Sequence, residues 1–463
     1  MEQDAWLDAS EREKEAYKYF MRPDPDMREF LGPIERLDDE VTGRSIRSRL
    51  ARISMVRGAA PEHGKEMRVY LDPFPHVRTE KGQDLRGWYS SKGDGALRGQ
   101  RDRPCMTDAV LTQPYGGYCP VGCGFCYINS GPRGYRGTGL VSVPLGYGAQ
   151  VKKQLGSMRS AQAGYFSSFT DPFLPLEEYY HNTQQGAQAF VDEGLPVFFL
   201  SRLPYPGWAF DMLAKNPLSY MQKSINTPDE DDWHKLSPGA APLGQHLEQI
   251  AEAHRRGIYV SIQCNPIIPG IVTHEDVEEL FELLASAGAD HVIVKFVEAN
   301  HPWAPAMVER ITKRFGSNRA AAFRELFTEN SCGGQKTVQE AYRREGHERY
   351  RARATALGMT YSLCYEYTKQ PSGRFVSMGP EFLTAEQCHG HKVPFHVRAS
   401  DGHFAPLDAC PPSGCLSCAD TNSGEPRCGS SLLGAATALK ISDLRRDPFA
   451  KAAATSAPGG NGA

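Results

Sequence analysis

From about Thr107 to Ala299, short apolar runs alternate with amphipathic stretches, the rhythm of repeated βα units. Strands are expected at Ala109–Thr112, Gly164–Phe169, Pro196–Ser201, Ser219–Ile225, Ile258–Cys264 and His291–Phe296. Between them the helical period appears at Tyr147–Met158, Leu176–Asp192, Trp208–Ala214, Leu243–Arg256 and Glu275–Ala287. Six such units in order predict an α/β fold, a partial (β/α)6 barrel of TIM type that is open on one side. Chemistry in such barrels belongs at the C-terminal ends of the strands. The pattern is different on either side of this block. Residues 1–106 form a mixed, Pro- and Arg-rich N-terminal extension, and residues 300–450 a helical, then cysteine-rich region with helices at Ala304–Phe327 and Val338–Leu357. Residues 451–463 carry almost no apolar bulk and are expected to be disordered.

Composition narrows the class. A chain of 463 residues with 40% hydrophobic positions has ample material for one large core. The formal net charge of -3 provides no overall basic field for nucleic acid. Charge is uneven locally: Arg44, Arg47, Arg49, Arg52, Arg57, Lys65 and Arg68 form one basic stretch, and Arg98, Arg101 and Arg103 another. Runs of this kind serve as solvated faces or as phosphate tracks. No signal peptide and no membrane-spanning apolar run is found. Twelve cysteines, tightly clustered, fit metal ligation in a reducing cytoplasm better than secreted disulfides.

The candidate chemistry lies in Tyr118-Cys-Pro-Val-Gly-Cys-Gly-Phe-Cys-Tyr127. Cys119, Cys123 and Cys126 put three thiolates on one loop directly after the first strand. Such a trio holds three corners of a cubic iron–sulfur cluster and leaves the fourth iron without a protein ligand. The bland alternatives are a zinc knuckle or three unrelated core cysteines. Phe125 would shield such a cluster from water.

The spacing C-x3-C-x-aromatic-C resembles the cluster loop of the radical S-adenosylmethionine (SAM) superfamily. The resemblance implies a [4Fe–4S] cluster held by Cys119, Cys123 and Cys126, with SAM on the open iron. It also implies reductive cleavage to a 5′-deoxyadenosyl radical, and an electron donor such as flavodoxin or ferredoxin. Four further segments, Phe169-Thr-Asp-Pro172, Ser224-Ile-Asn226, Leu236-Ser-Pro-Gly239 and Pro266-Ile-Ile-Pro-Gly270, are similar to the spore photoproduct lyase-like branch over about Thr107 to Glu298. By that match Asp171, Arg202, Ser224 and Asn226 become SAM-binding candidates. Ser168 and Thr170 offer hydroxyls to the SAM ammonium, and Tyr127 matches the aromatic that follows the last cysteine. One departure limits the analogy. The lyase carries a hydrogen-donating cysteine where this chain has Ser167 and Ser168, and a serine O–H is too strong to quench a carbon radical.

A second cluster, Cys410, Cys415, Cys418 and Cys428, has the C-x4-C-x2-C spacing of an iron–sulfur site, and its four thiolates would also suit structural zinc. The run Cys388-His-Gly-His391 is expected at the surface, with a metal site as the alternative. Cys105, Cys264, Cys332 and Cys364 read as packing residues, Cys264 with a lesser role as a hydrogen donor.

Two substrate classes follow. The lyase resemblance and the basic stretches point to a thymine-derived base in DNA or a nucleotide. The resemblance extends to radical SAM isomerases of phages that hypermodify thymidine, which rearrange a glycyl substituent on the thymine methyl group. That reaction needs only abstraction, migration and return of hydrogen, so it needs no cysteine donor. Arg133 and Arg136 would then meet a substrate carboxylate or phosphate, or simply face solvent. The alternative is a peptide or small natural product, supported by the second cysteine cluster.

Overall fold

The computed structural model describes Glu29–Phe30, Val69–Tyr70 and residues 76–87, 109–126, 141–167, 169–301, 303–385 and 388–406. The two basic stretches, Cys105, Tyr127, Arg133, Arg136, Ser168, Cys410, Cys415, Cys418, Cys428 and the tail lie outside the described residues.

Eight strands make the central sheet: β1 (Arg86–Gly87), β2 (Val110–Thr112), β3 (Gly164–Phe166), β4 (Val197–Ser201), β5 (Tyr220–Ser224), β6 (Tyr259–Ile267), β7 (His291–Phe296) and β8 (Thr360–Leu363). Their order across the sheet follows the chain, from β1 to β8. β2 through β8 are parallel, and β1 is antiparallel to β2. The expected α/β architecture with a parallel sheet is present. The parallel strands number seven rather than six, because Thr360–Leu363 pairs with β7.

Alternate positions on each strand sort by face. Val110, Phe166, Val197, Phe199, Met221, Val260, Ile262, Val292 and Val294 enter the large core. That core also takes in buried residues of α1 (Tyr147–Leu155), α2 (Asn182–Asp192), α3 (Gly207–Ala214), α4 (Glu230–Leu236), α5 (Leu243–Arg255), α6 (His274–Ala287), α7 (Ala304–Arg319) and α8 (Glu340–Ala356). The intervening positions form the inner face. There Leu111, Tyr165, Phe198 and Tyr220 cluster with Val393, Leu200 and Tyr259. Tyr165, Phe198 and Tyr220 occupy paired positions on neighbouring strands, and successive rings stack at 4.6 Å. This aromatic floor lies at the N-terminal ends of β4, β5 and β6. It is plugged by His389, whose Nδ1 is 2.5 Å from the Tyr220 hydroxyl, and by His391, stacked on Tyr259. The run Cys388-His-Gly-His391 is therefore packed against the sheet. The expectation of surface histidines is corrected: aromatic neighbours supply the burial that the flanking polar residues hid. Further along the inner face Gln263 donates to Gln222 at 3.2 Å, so the lining turns polar toward the C-terminal ends.

Local chemistry explains the helix boundaries. α6 starts at a reciprocal capping box, in which Thr273 accepts from the Asp276 N–H and Asp276 from the Thr273 N–H. The expected helix over 176–192 is broken at His181, whose φ is 52°. Glu177 causes the restart. Its carboxylate accepts from the backbone N–H groups of Thr183 and Gln184, satisfying two donors at the start of α2. The expected helix over 304–327 likewise divides, at the non-helical Gly316 and again after Arg319.

Candidate active site

The cysteine loop leaves β2 at the C-terminal end of the sheet and is held by backbone bonds on both sides. Within it, Gly122 N–H donates to Cys119 O and Cys126 N–H to Cys123 O, both at 3.2 Å. Across it, Gly239 N–H donates to Val121 O at 3.0 Å and Gly124 N–H to Leu236 O at 2.9 Å. The segment Leu236-Ser-Pro-Gly239, at the end of α4, therefore clasps the loop along its length. Two arginines of α7 reinforce it: Arg310 donates to Gly124 O at 3.0 Å and Arg314 to Lys235 O at 2.8 Å.

The three thiols are half-buried and interact with one another electrostatically. Burial pushes the Cys119 thiol well up, and the nearby Asp171, Cys123 and Cys126 charges add to this. Ser237 donates its hydroxyl to Cys123 Sγ at 3.2 Å. Among the described residues no three His, Cys, Asp or Glu groups converge on a single ion. A cubic cluster makes no such demand, since each thiolate binds a different iron.

Arg202 is the hub beside the loop. Its Nη1 donates to Asn226 Oδ1 and to Ser237 Oγ, both at 3.2 Å, and its Nη2 to Asn265 O at 2.9 Å. The guanidinium lies 5.0 Å from the Phe125 ring centre and 4.9 Å from that of Trp233. Burial lowers its pKa, while the three cysteines pull the other way. Asp171 fixes the end of β4: it accepts from Ser201 Oγ at 2.8 Å, Arg202 N–H at 2.7 Å and Phe173 N–H at 3.0 Å. Burial raises its pKa against these bonds. Asn226 is fully buried and donates to Pro266 O at 2.9 Å, tying the end of β5 to β6. Thr170 and Ser224 are buried at the same end. The structure thus brings together Cys119, Cys123, Cys126, Thr170, Asp171, Arg202, Ser224 and Asn226.

Several neighbours had no role from sequence: Trp233, Ser237, Arg310 and Arg314. Their one signal was the Leu236-Ser-Pro-Gly239 motif, which marks the segment without disclosing what it clasps. Cys264 is fully buried and belongs to the helix-packed core, so its reading as a packing thiol stands.

Against known proteins, the chain is 57% identical over 458 residues to the radical SAM Nalpha-GlyT isomerase of Pseudomonas phage M6, across 96% of this chain and 95% of that one. The chain belongs to the radical SAM isomerase family of that enzyme. No family model matches it. Among solved structures it is similar to spore photoproduct lyase complexed with dinucleoside spore photoproduct. That likeness has 15% identity and a TM-score of 0.45, covering 69% of this chain and 93% of that one. SuiB of Streptococcus suis bound to S-adenosylmethionine gives 14% identity and a TM-score of 0.35, covering 57% and 49%. The family assignment rests on the phage relative.

Radical SAM isomerases use SAM and a [4Fe–4S] cluster, and the donor set of this loop fits that requirement. Three thiols share one loop, a serine hydroxyl is directed at one sulfur, and a guanidinium stands beside all three. The clasp leaves no spare room: a Cβ on Gly239 would lie 2.3 Å from Pro120 O. Among the described residues no helix is long and apolar enough to cross a membrane.

Proposed function

We propose that this protein isomerises a glycyl-modified thymidine, in DNA or as a nucleotide, by radical SAM chemistry. The observation that carries the reading is the 57% identity, over nearly the whole of both chains, to a phage enzyme named for that reaction. In this reading Cys119, Cys123 and Cys126 hold the cluster, and Arg202, Thr170, Ser224 and Asn226 surround SAM, with Ser168 and Tyr127 completing the site. When bound, the cluster and SAM supply a 5′-deoxyadenosyl radical that takes one hydrogen atom from the substrate.

The protein's own groups have simpler tasks. Asp171 and Asn226 fix Arg202, and Arg202 keeps a positive charge beside the thiolates. Phe125 and Trp233 pack their rings close to that charge and help keep water from it. Ser167 engages Gln113 and offers no thiol at the end of β3. One hydrogen leaves the substrate and one returns, so substrate and product share a formula and no net oxidant is consumed.

The test is anaerobic reconstitution of the full chain with SAM, a reductant and glycylated thymidine carrying deuterium on the glycyl carbon. Label appearing in 5′-deoxyadenosine or SAM, together with an isomeric product, supports the reading; label that never leaves the substrate refutes it. Retention on DNA-cellulose, lost steeply with salt, would favour polymeric DNA over free nucleotide. Flavodoxin or ferredoxin would supply the electron. The spacing of Cys410, Cys415, Cys418 and Cys428 supports an auxiliary iron–sulfur cluster over zinc. About eight irons per chain would agree with it, and about four with zinc.

A further inference from the structure

A second charged group stands at the C-terminal end of the inner face, away from the cysteine loop. On β7, Ile293 pairs with Gln263 on one side and Ser362 on the other, all three on the inner face. Lys295, two positions further, shares that face at the strand's end. Its Nζ lies 2.8 Å from Glu298 Oε1, and the two side chains are 14% and 17% exposed, so neither is sealed in the core. Tyr365, just past β8, covers the ammonium at 5.0 Å. Tyr365 has a φ of 56°, a left-handed conformation rare for a non-glycine residue, so its backbone departs from the ordinary strand exit where its ring meets Lys295.

Arg202, by contrast, already commits Nη1 to Asn226 and Ser237 and one Nη2 donor to Asn265, with the Phe125 and Trp233 rings packed close to the guanidinium. An ammonium has three donors, and Glu298 takes one.

Resting on the isomerase reading, we infer that Lys295 is the specificity-determining residue that receives the free carboxylate of the glycyl substituent. A glycine joined to thymidine through its α-nitrogen keeps its carboxylate, so the substrate carries an anion that an unmodified thymidine lacks. Glu298 is the resting partner that occupies the ammonium until a substrate carboxylate competes for it, and Tyr365 limits its swing. Binding is by charge-assisted hydrogen bonds, with no covalent step.

The test compares the 5′-monophosphate of the glycylated thymidine with its glycinamide counterpart, binding to the reconstituted full chain. The wild type is expected to prefer the carboxylate about 10- to 100-fold. Lys295→Gln abolishes that preference, Lys295→Arg keeps most of it, and iron content and SAM binding stay unchanged in both. A preference that survives in Lys295→Gln, or is missing in the wild type, overturns the inference. If Lys295→Gln does not fold, Glu298→Gln decides. Removing the competing carboxylate raises the preference if Lys295 binds substrate and leaves it unchanged if the pair is only structural. Failure of the isomerase reading looks different: the wild type then neither binds nor converts the glycylated nucleotide, and both proposals fall.

Discussion

Substituting Gly239 by alanine should empty the cysteine loop of iron while leaving most of the sheet intact. The added Cβ would sit 2.3 Å from Pro120 O, 3.0 Å from Val121 Cα and 3.1 Å from Pro120 C, all backbone atoms. A carbon–oxygen contact relaxes at roughly 3.3 Å, so the loop and the Ser-Pro-Gly segment must part by about 1 Å. That separation breaks or stretches two backbone bonds, Gly239 N–H to Val121 O and Gly124 N–H to Leu236 O. At about 1 kcal/mol each, plus ~1–2 kcal/mol of overpacking, the loss is roughly 3–4 kcal/mol, concentrated on the loop. Gly124→Ala is the matched control. Its Cβ meets Arg314 Nη1 at 2.6 Å, the far end of a flexible side chain that can swing aside. Iron per chain after anaerobic reconstitution is the assay, with the urea midpoint as a check on the fold. Gly239→Ala is expected to lose about four irons and Gly124→Ala few. Full iron loading in Gly239→Ala, or equal losses in both variants, would refute the clasp.

Other consequences follow from the same geometry. Cys123→Ala removes one of three ligands from a cluster with none to spare, so SAM cleavage to 5′-deoxyadenosine should fall to background. Ser237→Ala removes the hydroxyl donor to Cys123 Sγ. It should move the cluster's reduction potential to more negative values in a spectroscopic redox titration, because that bond favours the more negatively charged reduced state. Away from the cysteine loop, burial pushes Glu366 up, but the Arg343 charge and the His347 bond outweigh it and hold the carboxyl at about 2. Its folded pKa lies below the unfolded value of about 4.3. The pair's stabilisation is thus complete above that value and drains as pH falls from there through about 2. Glu366→Gln should abolish that acid-limb dependence in urea titrations. It should also cost about 3–5 kcal/mol at pH 7, because it leaves Arg343 buried without its 2.7 Å partner.

The cysteine loop and the βα rhythm were legible because each is a local signal: ligand spacing in one case, alternating burial in the other. The seventh parallel strand was not. Thr360-Tyr-Ser-Leu363 is short and half polar because Thr360 and Ser362 bond the two ring nitrogens of His291 across the sheet. No periodicity reveals a partner 69 residues away. The break at His181 was equally hidden, since the apolar period runs straight through it and the cause is the capping carboxylate of Glu177. Position was easier to read than partnership at the site itself. Arg202 and Asp171 do stand at the predicted strand ends. Asp171 was legible as a SAM-binding candidate, whereas its bonds to Ser201, Arg202 and Phe173 were not. That engagement depends on the close approach of β3 and β4, which only the folded chain creates.

An isomerase that returns hydrogen to its product has to keep competing donors away from the substrate radical. Thiols are the dangerous ones, because an S–H gives up hydrogen readily where an alcohol does not. This chain meets that demand at the ends of β3 and β6, though not past β8, where the partly exposed Cys364 lies near Lys295. At the end of β3 stands an alcohol, Ser167, 5% exposed and bonded to Gln113. At β6, Cys264 points into the helix-packed core instead of the inner face, whose adjacent position holds Gln263, bonded to Gln222. The side of the strand on which a thiol falls thus has chemical meaning. On the core side Cys264 is one more packed residue, whereas one position earlier it would stand among the groups that line the inner face.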